Sequence, residues 1–365
     1  MTTESHPPSA IARRAVLKGA TALAAGAAVL QSSRSGVAAA EVAPEEGALA
    51  VAAREIPVPK SISPEAQRFL AAGGKFLKMA GGPPSPTDKD AWRKRIAMIN
   101  KATEPLIKRL LASPATVERK TVKGVSVCVG TPNEMRHKDR VRISIHGGAF
   151  TVMGGAYVEG DAAQVAAASG CTVYSIDYRM PPDFPFPAAV DDCVAVYREI
   201  IKTYEPKKVA ISGGSAGGNL AGTVTLKIRD SGLPMPGAVA MLTPLTDLTD
   251  LSDTLRTNLG IDTALPRVPD AASALYADGH DLKDPYLSPL FGDFSKGFPP
   301  TYLQSGTRDL LLSDTVRMHA VLLNAGIEAE LHVGEAMPHG GFGMFTPEDR
   351  EMEARLLRFI DRHLG

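Results

Sequence analysis

The residues best suited to chemistry gather around one serine. Gly213-Gly214-Ser215-Ala216-Gly217 follows the apolar run 208–212 and opens a helical stretch. A Gly-x-Ser-x-Gly sequence between a strand and a helix is the pattern of a sharp turn that exposes a nucleophilic hydroxyl. A glycine-rich turn at such a point can also cradle phosphate. A nucleotide loop, however, requires Gly-x4-Gly-Lys-Ser/Thr, and no lysine follows here. The dinucleotide pattern Gly-x-Gly-x-x-Gly does not fit the register either.

A serine at its free pKa is a poor nucleophile and needs a base, which in turn needs an orienting carboxylate. Beyond Ser215 the histidines are His280, His319, His332, His339 and His363. His280 falls in an irregular stretch, His319 and His363 in helical ones, and His332 on the polar side of a strand with Glu328 and Glu330. His339 lies in the loop Met337-Pro338-His339-Gly340-Gly341-Phe342 after the last strand, where a base can reach a serine at the sheet edge. For the carboxylate, Asp309 follows a strand through a short loop, and Asp314 is the alternative. With Ser313, Asp314 is also of N-cap type for the helix that begins there. In His146-Gly147-Gly148-Ala149-Phe150, consecutive glycines let backbone N–H groups point into a cavity, as stabilising an oxyanion demands. Gly147, Gly148 and Ala216 are the expected donors, with His146 bracing the loop. None of this requires a cofactor or a metal, and no HExxH or His-x-His-x-Asp cluster occurs.

The elements that must position these groups alternate. Strands are predicted at 140–145, 171–176, 208–212, 238–242, 301–304 and 329–333, and two short strands flank the turn Lys123-Gly124 between Val117 and Val129. Helices are predicted at 161–169, 187–204, from about 215, at 313–325 and at 347–364. Such alternation implies an α/β fold with a mostly parallel sheet covered on both faces. Upstream, Ser63 and Pro64 read as a helix start, with Phe69, Leu70, Phe76, Leu77 and Met79 on its apolar face. Residues 81–86 break that helix, and Thr87 or Asp88 caps a second carrying Trp92, Ile96, Ile99, Leu106 and Leu110. Pro105 should kink or split it. Residues 61–112 are expected to form a helical cap that the irregular insertion 246–290 completes, over one catalytic domain at 113–365.

The first forty residues read as an address. Arg13 and Arg14 precede an uncharged stretch from Gly19 to Leu30, and small residues follow to Ala40. That arrangement describes a secretory signal, and Arg-Arg-Ala-Val-Leu-Lys resembles the twin-arginine export motif. Cleavage is expected after Ala40, with Ala43 as the second choice, leaving 41–60 as a flexible leader and a periplasmic or secreted protein without stable membrane anchoring. The chain of 365 residues carries 40 basic and 40 acidic side chains, so it has no electrostatic footprint for nucleic acid. Its three cysteines, Cys128, Cys171 and Cys193, lie in apolar runs at no zinc-ligand spacing and read as small buried hydrophobes.

Taken together, HGGAF at 146–150, DYRMPPDFPFPAA at 177–189, GGSAGGN at 213–219, DPYLSPL at 284–290, GTRDLLLSD at 306–314 and the His339 loop resemble the hormone-sensitive-lipase-like esterases of the α/β-hydrolase fold. The resemblance covers residues 115 to 365. It implies a triad of Ser215, Asp309 and His339, an oxyanion hole of Gly147, Gly148 and Ala216, and a small ester or lactone as substrate. It also implies that Asp177 to Ala189 is scaffold without chemistry. Within the family, 246–258 and 284–300 look most like the lactone and short-chain ester hydrolases. Two positions depart from the family pattern. Ala149 stands at the third glycine, where its methyl is expected to narrow the acyl pocket, and Gly214 stands at the usual acidic residue. An amidase or deacetylase with the same triad is the chemical neighbour, and a ligand-binding protein on this fold is the non-enzymatic alternative.

Overall fold

The computed structural model describes residues 47–73 and 81–365. The segment read as a signal lies outside them, as do Phe76, Leu77 and Met79. The chain divides into Met1–Glu55 and Ile56–Gly365, and every described helix and strand belongs to the second unit.

Three helices come first: α1 (Pro64–Ala72), α2 (Lys89–Ala102) and α3 (Glu104–Leu111). The Ser63 hydroxyl accepts from Ala66 N–H at the start of α1, and Asp88 accepts from Ala91 N–H at the start of α2. Pro105 does split the second predicted helix: it occupies the first turn of α3, where its missing N–H costs nothing.

Eight strands then form one sheet: β1 (Ala115–Val122), β2 (Val125–Pro132), β3 (His137–Ile145), β4 (Cys171–Asp177), β5 (Val209–Gly214), β6 (Ala238–Leu242), β7 (Thr301–Gly306) and β8 (Ala329–Gly334). Their order is β1-β2-β4-β3-β5-β6-β7-β8; β2 runs antiparallel to both its neighbours and the remaining pairs are parallel. The helices between and after the strands are α4 (Ala156–Ser169), α5 (Ala188–Ile200), α6 (Ala216–Asp230), α7 (Thr254–Thr257), α8 (Asp270–Ala277), α9 (Leu312–Asn324) and α10 (Pro347–Leu364).

The period of two along each strand decides which face a residue serves. Val209, Ile211, Val239, Met241 and Leu303 enter the main core with Val190 and Val194 of α5, Leu220 and Val224 of α6, and Met318 and Leu322 of α9. Their chain neighbours Ala210, Ala238, Ala240 and Tyr302 pack instead against Leu356, Phe359, Ile360 and Leu364 of α10. Both faces are therefore covered, as the near-continuous apolar strands require. Helix α4 begins at Ala156, five residues before its predicted start, with Gly155 as N-cap at φ 63°. Helix α5 ends at Ile200, short of the predicted 204; the chain continues through turns to Tyr204, and Pro206 holds Glu205 before it in an extended conformation.

Helix α2 buries one side chain, Trp92, the only tryptophan in the chain. It packs with Ala272 and Leu275 of α8, and its indole N–H donates to Ser85 O (3.0 Å). With so little else holding α2, its packing belongs to the least stable part of the fold. Trp92 emission is therefore expected to change at lower urea than far-UV ellipticity. Coincident transitions would show instead that α2 unfolds together with the sheet.

Candidate active site

The turn from β5 into α6 places Ser215 at φ 57°, ψ −120°, a conformation that costs a side-chain-bearing residue about 1–3 kcal/mol. Surrounding backbone holds it there. Ser215 N–H donates to Leu242 O (2.8 Å), and its own carbonyl accepts from Asn219 N–H (3.0 Å). A Cβ on Gly217 would lie 2.0 Å from Ile145 O, so the turn can press against the end of β3 only with glycine there.

His339 Nε2 lies 2.8 Å from Ser215 Oγ, and His339 Nδ1 lies 3.0 Å from Asp309 Oδ1. Asp309 is fully buried and also accepts from Ser305 Oγ (2.7 Å) and Leu311 N–H (2.9 Å). With Nδ1–H donating to this carboxylate, Nε2 presents its lone pair to the serine hydroxyl. Burial alone would push the imidazole pKa down. The charge of Asp309 and its hydrogen bond, with the charge of Asp262 added, outweigh that and raise it above the ordinary 6.5.

The loop bearing His339 is clamped from outside. Ile62, Ala66 and Leu70 of the α1 region pack with Ala336, Met337, Phe342 and Met352. Ser63 donates its N–H (2.6 Å) and hydroxyl (2.8 Å) to the two carboxylate oxygens of Glu348 at the start of α10. Asp349 accepts from Phe342 N–H (2.9 Å) while completing a capping box with Thr346.

The three backbone N–H groups expected to serve the oxyanion are those of Gly147, Gly148 and Ala216. None of them has an acceptor among the described residues. Each belongs to a peptide whose carbonyl is held, and a planar trans peptide points its N–H opposite its C=O. Tyr178 OH donates to His146 O (2.9 Å), which fixes the peptide carrying Gly147 N–H. His146 Nδ1–H donates to Gly147 O (2.8 Å), which fixes Gly148 N–H. The Ser215 carbonyl, held as above, fixes Ala216 N–H. His146 also stacks on the Tyr178 ring with centroids 4.2 Å apart, and burial keeps it neutral by pushing its pKa down. It braces the loop, and Tyr178 shares the task.

A family model described as alpha/beta hydrolase fold matches residues 142–343. The "Carboxylesterase NlhH" of Mycobacterium tuberculosis is 30% identical over 285 residues, covering 74% of this chain and 88% of that protein. The "Acetyl-hydrolase" of Streptomyces hygroscopicus is 34% identical over 197 residues, covering 52% of this chain and 64% of that one. The crystal structure of an esterase E25 superposes with a TM-score of 0.78 at 34% identity, over 87% of this chain and 99% of that one. That of an esterase from the bacterial hormone-sensitive lipase (HSL) family gives 0.70 at 29% identity, over 83% and 99%. The chain belongs to the hormone-sensitive-lipase-like esterases of the α/β-hydrolase fold.

Within that family its departures acquire a geometry. The Ala149 methyl packs against the cluster of Trp92, Ala272 and Leu275. At Gly214 a Cβ would meet only Leu242 O, at 3.9 Å, so the space of the usual side chain is open. The block from Asp177 is scaffold in a literal sense: Asp177 accepts from Gly155 N–H (2.9 Å) and Arg119 (2.7 Å), and Phe186 N–H donates to Tyr276 O (2.9 Å).

Asp314 differs from its expected capping role. The N-cap of α9 is Leu311, and the fully buried Asp314 carboxylate accepts from Thr246 N–H (2.7 Å), Asp247 N–H (3.0 Å) and Ser252 Oγ. Capping lost because the incoming chain offers those donors inside the protein. His332 also differs: it stacks on Tyr302 (5.0 Å) rather than facing solvent. Two residues that pattern reading passes over matter here. Asn219 donates to Leu245 O and Leu287 O, both at 2.7 Å, and Asp262 reaches the His339 and Asp309 loops. An Asx-turn pattern at Asp262, followed by Ala264 and Leu265, was the available signal.

Burial raises the Asp314 pKa from 3.8 to about 7. A raised native carboxyl contributes stability that is complete below the unfolded value and lost as pH rises through the native one. Unfolding free energy is therefore expected to decline between about pH 4 and 7, and Asp314→Asn should flatten that decline. Equal slopes for parent and variant in urea titrations across that range would show that Asp314 stays ionised throughout.

Proposed function

We propose that this esterase is a serine carboxylic-ester hydrolase working through an acyl-enzyme, on short to medium-chain esters or lactones. The observation that carries the reading is the unbroken line from Asp309 through His339 to Ser215 Oγ, at 3.0 and 2.8 Å. Ser215 Oγ attacks the ester carbonyl carbon while its proton passes to His339 Nε2. The carbonyl oxygen becomes an oxyanion that accepts from Gly147, Gly148 and Ala216, each donor worth about 3 kcal/mol in the transition state. Collapse of that intermediate breaks the bond to the alcohol oxygen, which leaves with the proton from His339. Water then gives a proton to His339 and attacks the acyl carbon, and Ser215 departs with that proton as the acid is released.

The helices of 61–112 and the insertion 246–290 serve in this reading as a cap over the substrate. Support comes from Trp92 packing on α8 and from Arg93 pairing with Asp183 (2.7 Å). Export is the companion proposal. It rests on the arginine pair at Arg13 and Arg14 ahead of the alanine-rich run, and no described helix is long and apolar enough to cross a membrane.

The test uses p-nitrophenyl butyrate and ε-caprolactone. Turnover of at least one is expected, to be abolished in Ser215→Ala together with covalent labelling by a fluorophosphonate. Folded parent that turns over neither substrate would overturn the reading, and the ratio of the two rates divides esterase from lactonase. Asp309→Asn should lower kcat by about 10⁴-fold through loss of the imidazole's tautomer and orientation. Because His339 must be unprotonated and its pKa is raised, kcat/KM should fall with acid through a midpoint above 6.5.

A further inference from the structure

Asp262 belongs to the insertion between β6 and β7, remote in sequence from Ser215, Asp309 and His339, yet it is 2% exposed and meets the backbone of His339 and of the residue after Asp309. Its Oδ2 accepts from Leu310 N–H (2.8 Å) and His339 N–H (3.2 Å). Its Oδ1 accepts from Ala264 N–H (2.8 Å), Leu265 N–H (2.9 Å) and, more weakly, His339 N–H (3.3 Å). One carboxylate thus joins three separate segments: its own loop, the residue after Asp309, and the backbone of the base. Every one of these contacts presents it with a donor, and none with an acceptor.

Such a set of donors favours the anion, since a protonated carboxyl would have to turn an O–H toward an N–H. Burial opposes ionisation and raises the Asp262 pKa, but it also leaves the charge little screened by water. The charged groups bearing on Asp262 are His339 and Asp309, and those bearing on His339 are Asp309 and Asp262. Arg308, beside Asp309 in the chain, donates to Pro57 O instead.

We infer that Asp262 is a positioning residue for the reaction: an anchor that fixes the His339 and Asp309 loops against each other and a second buried anion that sustains the basicity of His339. This rests on the serine-hydrolase reading for its effect on turnover, but its effect on the imidazole does not. The insertion then does more than cover substrate. It supplies a charge to the base, and its seating and the proton affinity of His339 are linked.

The experiment titrates the His339 imidazole by NMR in a Ser215→Ala background, with and without Asp262→Asn, and measures kcat and KM over pH in the enzyme with its serine intact. Removing the charge should lower the His339 midpoint by about one pH unit. The acid limb of kcat/KM should follow it, and kcat should fall at least about tenfold with KM changed less. Asn258→Ala is the neutral comparison, since it removes the donations to Asp309 O (2.8 Å) and Thr307 O (3.3 Å) from the same loop. It should lower stability and leave the midpoint in place. A folded Asp262→Asn enzyme with an unmoved His339 midpoint, or with parental kcat, overturns the inference.

Should the asparagine variant fail to fold, Asp262→Glu carries the test. It keeps the charge but displaces the N–H contacts, so kcat should fall while the midpoint holds. Parental kcat, or a midpoint that drops as far as charge removal predicts, overturns it. If the parent hydrolyses no ester, the functional reading fails while the NMR titration still decides whether Asp262 sets the base.

Discussion

Two backbones cross at contact distance where β5 turns into α6 beneath the end of β3, and the rest of the site is arranged around that crossing. A Cβ at Gly217 would sit 2.0 Å from Ile145 O and 2.7 Å from His146 O, so no other residue fits without moving one of the two segments. The crossing brings the peptides that follow His146 alongside the peptide that follows Ser215. The carbonyls opposite their three N–H groups are already engaged, by Tyr178, by His146 and by Asn219 N–H. Donors fixed in this way need no reorganisation when negative charge develops, which is the physical content of electrostatic preorganisation. The strain at Ser215 is offset by the same contacts, since relaxing its φ would break them.

Charge is handled differently on the other side of the serine. Asp309 and Asp262 are both buried and both close to His339, and like charges in low dielectric repel. The arrangement is tolerable because each carboxylate is engaged by donors, Asp309 by Ser305, Leu311 and the imidazole, Asp262 by backbone N–H groups of three segments. Asp314, a third buried carboxylate, is farther along the same helix start and faces the loop at 246–252. Insertion and sheet are thus joined by buried carboxylates, each meeting backbone donors, and apolar contact alone would not set the loops with comparable direction.

Much of this is legible in the sequence. The glycines around Ser215, the position of His339 after the last strand and the alternation of apolar runs all express local rules, and local rules survive in the fold. Strand placement was readable because β3 and β5 are buried over most of their length and leave apolar runs in the sequence. What escaped depends on long-range donors. Asp314 has the right chemistry to cap α9, and only the arrival of residues 246–252 diverts it. Asp262 looks like an ordinary turn residue until the loops of Asp309 and His339 close over it. His332 looks solvent-facing by alternation, but β8 is an edge strand whose partner ring, Tyr302, lies on the neighbouring β7. The start of α4 carries no sequence mark, because Gly155, its N-cap, is one of several glycines there with nothing to distinguish it locally.

Ala149 shows how a departure from a family pattern is absorbed. At φ 50° an alanine carries strain that glycine avoids, on the order of 1 kcal/mol. Its methyl packs against Trp92, Ala272 and Leu275, and burying one such group returns a comparable amount, about 0.8 kcal/mol. The exchange is near balance in stability but not in connectivity. With glycine the loop would lose the contact that its residue 149 makes with the Trp92 cluster. With alanine the loop of Gly147 and Gly148 packs against the cluster that joins Trp92 of α2 to α8, and Phe150 beside it stacks on Tyr276 of α8 at 3.9 Å. The segments at 61–112 and 246–290 therefore bear on both halves of the chemistry, on the donors through Ala149 and on the base through Asp262.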